Sequence, residues 1–271
     1  MRLPLLVVAL GVVVAGCAAV DRTTPPDLAI GSDLPAAVAP VPAGVDFPVT
    51  AVPRPIVLFL PKLLTVEWMG LEEEKLAAGY RFTGVEPPTP GPASVVLPDG
   101  PATLPLISVR DALAGMPGGA RDGELELVSA ELGTAEFNTD RGRLELPAWR
   151  FRSVYGSVYA WPAVTPDAFW KQGEVIDGSH HARTSDGVRL EVELGAPPEP
   201  CEGDPPATKE PVVTETETSV VIGVRTVGTV GECARRAMYR FQYYPVTLSK
   251  PLGARLLVFE EDSTIIPVAP N

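Results

Sequence analysis

The chain has 271 residues at 28.7 kDa, 45% of them hydrophobic and 21% charged, which supplies core for one large or two small domains and excludes a disordered protein. Its 31 prolines and 25 glycines exclude a helical bundle and favour short strands joined by many turns. The net charge of −12, with no basic run longer than Arg235-Arg236, leaves no surface suited to binding nucleic acid by counterion release.

At the N-terminus, Arg2 precedes an apolar run over residues 3–15 that ends in Val14-Ala15-Gly16-Cys17, the pattern of a secretory leader. At about 1.5 Å per residue the run spans roughly 20 Å, short of the ~30 Å hydrocarbon core, so a permanent transmembrane helix is the weaker reading. The small residues Ala15 and Gly16 admit a peptidase, and Cys17 offers a thioether-forming side chain. These four residues resemble the lipobox of bacterial lipoproteins. The resemblance implies that residues 1–16 are removed and that Cys17 carries a diacylglyceryl group on the extracytoplasmic face of the cell membrane. An ordinary signal peptide whose cleavage site happens to include a cysteine is the alternative. Arginine outnumbers lysine 17 to 5 and asparagine occurs twice, a bias similar to that of high-GC actinobacteria.

Residues 17–55 carry eight prolines, a single aromatic (Phe47) and no sustained period, the composition of a stiff, extended tether. A β-rich extracytoplasmic region is expected over 56–271, as one domain or as two halves dividing near 165–187. Within it, 56–60 reads as a strand, and 72–78, with acids first and Gly79 as the stop, reads as a short helix. Strands follow at 80–85, 93–97 and 102–106, with Asp99-Gly100 marking a hairpin. A second helix is predicted over 108–115, Ser108 standing three residues before Asp111 at its start and Gly115 at its end. Residues 125–137, 143–152 and 158–164 form a β-meander with turns at 138–142 and Gly156-Ser157.

After a looser stretch over 173–187, a strand is expected at 188–194 and a long alternating one at 212–227. A final hairpin is expected from 241–248 and 255–260, with 265–268 as a closing edge. The fold class that results is mainly β: an antiparallel sandwich or partly open barrel with two short helices. Residues 131–137, 141–143, 146–151 and 251–255 resemble a recurrent pattern in uncharacterised secreted actinobacterial lipoproteins. That resemblance implies a shared β scaffold and the exported compartment, and it carries no activity.

Setting Cys17 aside leaves Cys201 and Cys233, an even pair that the oxidising side of a membrane allows to bridge. Seven of the 18 aromatics lie between Trp149 and Trp170. A two-residue Gly156-Ser157 turn would set Tyr159 and Trp161 beside Arg150 and Arg152, and with Trp149 and Trp170 they are candidates for a sugar-stacking or protein-docking surface. Core packing is the simpler account. His180 and His181 are the only histidines, and Glu174, Asp177 and Asp186 stand near enough in sequence to orient them as general bases. An exposed polar loop between Gly173 and Gly187 explains the same residues without chemistry.

No nucleophile-elbow, phosphate-loop, dinucleotide or zinc-protease motif occurs, and no cofactor or metal is called for. The expected function is a lipid-anchored, non-enzymatic binding or interaction module of the cell envelope, with wall glycan or an envelope protein as partner. An envelope hydrolase built on the His180/His181 loop is the alternative.

Overall fold

The computed structural model describes residues 44–60, 62–70, 79–117, 123–171, 180–235 and 238–270. The leader, Cys17, most of the tether and the helix expected at 72–78 lie outside these residues. The described part of the chain is mainly β, with sheets layered against one another and no closed barrel.

In chain order, the first half contains β1 (Leu64–Glu67), β2 (Gly79–Phe82), the hairpin β3 (Ala93–Leu97) and β4 (Gly100–Leu104), helix α1 (Val109–Gly115), and the meander β5 (Glu124–Thr139), β6 (Gly142–Ser153) and β7 (Val158–Pro162). The meander forms the middle of a five-stranded sheet, order β1-β7-β6-β5-β2. Only the β2–β5 pair is parallel. The long β5–β6 ladder buries a different face at each end. Near the β5–β6 turn, Phe137 with Leu144, Leu146 and Ala148 packs beneath Leu97 and Leu104 of the β3–β4 hairpin. Farther along, residues of the opposite parity, Trp149 and Phe151, pack against Val109 and Ala112 of α1. A β-bulge between Leu127 and Ser129 shifts the side-chain parity of β5. It thereby turns Leu125 and Leu127 toward the helix face as well.

Helix α1 begins as its sequence predicts. Ser108 Oγ accepts the Asp111 N–H at 3.1 Å and the Asp111 carboxylate accepts the Ser108 N–H, a reciprocal capping box. Gly115 has a different reason from the predicted stop, since its φ is not left-handed. A Cβ there would lie 3.1 Å from the Trp161 ring, so the glycine lets helix and indole approach.

The second half contains β8 (Ala182–Thr184), β9 (Arg189–Gly195), β10 (Thr208–Glu215), β11 (Ser219–Val227), β12 (Phe241–Thr247), β13 (Leu256–Phe259) and β14 (Val268–Pro270). A three-stranded sheet, β10-β11-β13, faces a four-stranded one, β12-β9-β8-β14. Val220, Ile222, Leu257 and Phe259 from the first meet Leu190, Val192, Leu194 and Val246 from the second in one core, a small sandwich.

Several expectations are corrected. The alternating run 212–227 is the hairpin β10–β11, which reverses where Thr216 Oγ1 accepts the N–H groups of Thr218 and Ser219. That turn is built on side-chain oxygens and lacks glycine or proline. β12 and β13 do not pair with each other. β12 lies antiparallel to β9 while β13 runs parallel to β11, so residues 248–255 cross from one sheet to the other. β1 and β8 are additional short strands, β8 falling inside the expected loop 173–187. Residues 56–60 make only single bridges, Ile56 to Phe169 and Leu58 to Thr139.

That segment joins the two halves. Extended chain points successive side chains to opposite sides, and here both sides are core. Ile56 and Leu58 pack into the sheet-and-hairpin core of the first half, while Val57 and Phe59 enter a cluster with Val221, Leu256, Val258 and Ile265 of the second. Phe47 is buried in the latter cluster too, so packing starts within the stretch whose composition suggests a tether.

Candidate functional site

The histidines separate. His180 is 7% exposed, its ring 4.1 Å from that of Phe259 and 5.7 Å from that of Phe241. Its Nδ1–H donates to the Glu193 carbonyl at 3.0 Å, which fixes the proton on that nitrogen because a carbonyl only accepts. The expectation of a solvent-facing ring is thus overturned for His180, because β8 pairs with β9, and His180, two residues before β8, packs its ring on Phe259 of the sandwich. His181 remains exposed, as strand alternation requires.

Asp186 is not directed at either ring. It accepts the N–H groups of Val188 and Arg189 and the Arg189 Nε–H, all within 2.9 Å. These bonds, the Arg189 backbone N–H first, hold its pKa down at about 2. Asp177 and Glu174 lie outside the described residues. Among the described residues, no group of three or more His, Cys, Asp or Glu is placed to hold a metal.

The aromatic candidates are mostly core. Trp149, Tyr159 and Trp161 are 1%, 5% and 6% exposed. This is the core-packing account, and the register explains why the face is not that of Arg150 and Arg152: Trp149 pairs with Trp161 and Phe151 with Tyr159, so these rings share the face covered by α1. The turn is three residues long, Val154-Tyr155-Gly156, closed by Ser153 N–H to the Ser157 carbonyl at 2.8 Å, with Gly156 at φ +100°. A glycine with positive φ at the third position is what such a hairpin requires. Trp149 Nε1–H donates to the Ile107 carbonyl. Trp170 is half-buried, edge-on to Phe47 and beneath the Lys171 ammonium.

Cys201 and Cys233 form the expected disulfide, their Cα atoms 6.0 Å apart. It ties the loop after β9 to the loop after β11, strands of the two facing sheets.

The chemistry the sequence did not reveal sits where the β5–β6 turn enters the junction between the halves. Asp140, at the tip of that turn, is a hub. Its carboxylate accepts the Val57 N–H at 3.1 Å and pairs with the Arg54 guanidinium at 2.6 Å, while its backbone carbonyl accepts from Val268. Arg141 beside it pairs with Asp99 and donates to the Pro55 carbonyl. Burial lowers the Arg141 pKa; Arg54 adds to that lowering and Asp140 opposes it. Across the junction, the buried Arg255 binds Glu215 at 2.8 Å and the carbonyls of Lys250 and Pro251, anchoring the crossover 248–255. Burial pushes the Glu215 pKa up, but the Ser249 N–H and the Arg255 guanidinium outweigh it, leaving Glu215 below the usual carboxylate range. In sequence Asp140-Arg141 is an ordinary polar turn. Its partners come from residues 54–57, 99 and 268, and no local pattern joins them.

Compared with known protein families, curated proteins and solved structures, the chain matches none.

Proposed function

We propose that the protein is a lipid-anchored, extracytoplasmic binding module of the cell envelope, attached through Cys17 and held off the membrane by the proline-rich segment that follows. The observation that carries the reading is the Cys201–Cys233 bridge. It uses the two other cysteines of the chain and leaves Cys17, at the end of the apolar run, as the single cysteine outside it. Structural disulfides belong to exported compartments, and two acyl chains hold a protein on a membrane where one holds it marginally. No helix among the described residues is long and apolar enough to cross a membrane.

Binding is favoured over hydrolysis because the two imidazoles face different environments and His180 spends its Nδ1 proton on a backbone carbonyl. Cys17→Ser is expected to move the protein from the membrane fraction to the soluble one; retention at the wild-type level would refute the anchor. The purified protein is expected to be retained by insoluble wall glycan or by a purified envelope protein. Retention by neither would refute the binding reading.

A further inference from the structure

In a chain of net charge −12, arginines gather at the junction between the two halves. Two cavities there, about 390 and 570 Å³, share Gly142, Arg143 and Ala269 in their walls. Arg54, Arg141, Arg143, Arg183 and Arg255 line the pair, against Asp99 and Asp140. Some of this charge is spent. Arg255 is saturated by Glu215 and backbone carbonyls, and Arg183 pairs with Glu191 at 2.6 Å.

Arg54 and Arg141 are also paired, with Asp140 and Asp99, and Arg54 lies 4.6 Å over the Phe47 ring, but each keeps one donor atom unmet. The Arg54 side chain is 5% exposed; its Nε donates to the Ala254 carbonyl and one Nη to Asp140, while Nη1 is buried with no hydrogen-bond partner. Arg141 Nε is likewise buried with none, 3.7 Å from the nearer Asp140 oxygen. A buried donor left unsatisfied is destabilising, the more so when it carries charge. Both arginines line the smaller cavity. Two guanidiniums face one buried carboxylate, Asp140, and one that is 40% exposed, Asp99, which pairs with Arg141 but is partly screened by solvent. Water would satisfy the N–H groups without adding negative charge beside the two guanidiniums. An oxyanion does both, and its paired oxygens match a guanidinium's forked donors.

We infer that the smaller cavity is a binding site for an oxyanion group, a phosphate or a carboxylate, which accepts from Arg54 Nη1 and Arg141 Nε. Arg143 lines both cavities, and the remainder of the ligand extends into the neighbouring one beside Tyr243. This deepens the binding-module reading by naming the chemistry of its ligand.

The test is calorimetric titration of the purified full-length protein with sodium phosphate and with sodium acetate, at ionic strength matched with sodium chloride. Saturable binding of at least one of the two is expected, and the tighter one identifies the group. Arg54→Lys, which keeps a cation for Asp140 and removes Nη1, and Arg143→Ser, at a side chain 75% exposed and so neutral to folding, are each expected to weaken it at least tenfold. Arg225→Ser, on an exposed arginine paired with Glu210 away from the junction, should leave it unchanged. No binding of either anion above chloride, or equal binding by wild type and both cleft variants, would overturn the inference. Neither outcome touches the fractionation of Cys17→Ser, and glycan retention that persisted without anion binding would overturn the site while sparing the module.

Discussion

A carboxylate at a β-turn tip is usually solvated, yet Asp140 is 5% exposed and serves Arg54, the Val57 N–H and, more distantly, Arg141. Removing one partner of a buried pair leaves the other charged and dry, which costs about 3–5 kcal/mol. Asp140→Ala is therefore expected to lower unfolding stability by about that amount in urea titration, whereas Glu191→Ala, in an exposed pair with Arg183, should cost about 1 kcal/mol or less. Glu215 makes a pH prediction. Its folded pKa lies below the usual value, so its contribution is present above the unfolded carboxylate range and is lost as pH falls through the lowered folded pKa. The stability gap between wild type and Glu215→Gln, measured at pH 7 and again below pH 4, should narrow at the acid end. A constant gap would show that the carboxylate charge is irrelevant to the crossover.

Among the elements, the meander and α1 follow their local patterns because each carries its own instruction: period-2 alternation, a positive-φ glycine in the turn, Ser108 and Asp111 at the cap. The elements that departed lack one. The 212–227 run has no glycine or proline at 216–218, where it reverses, and 241–260 has the signals of a hairpin but crosses between sheets, with Arg255 bonded along the connection. Loops after β9 and β11 are irregular, and the disulfide holds them together across 32 residues. In the loop-entropy model closing a loop of that length is worth about 3–4 kcal/mol. Reduction, or Cys201→Ser with Cys233→Ser, should lower the urea midpoint correspondingly. Intact mass with and without alkylation confirms which form is measured, and an unchanged midpoint would show that the loops are held by other contacts.

For the molecule as a whole, the segment 56–59 is shared between cores, Ile56 and Leu58 on one side and Val57 and Phe59 on the other. Neither half keeps its packing if that strip is lost, so the described residues should unfold in one transition. Phe59→Ala empties the second-half side and is expected to cost about 3–5 kcal/mol. With Trp68→Phe and Trp170→Phe as the background, tryptophan fluorescence reports the first half through Trp149 and Trp161, and it should shift to lower urea together with the far-ultraviolet circular dichroism signal. Fluorescence that kept its wild-type midpoint would show the halves to be independent.

What the sequence determined by itself was what depends on neighbours along the chain: a mainly β fold, the capped helix at 109–115, the three-strand meander and the even pair of cysteines. Tertiary structure alone decided which faces are buried and which polar groups meet. Trp149 and Trp161 became core through a register set by a three-residue turn, and His180 became a packing residue because β8 and β9 pair behind it. The arginine-lined junction needed Arg54, Asp99, Asp140 and Arg141 to converge from separate turns. Turn and cap preferences act over three or four residues, whereas charge pairing across a fold depends on distance in space, which sequence spacing does not encode.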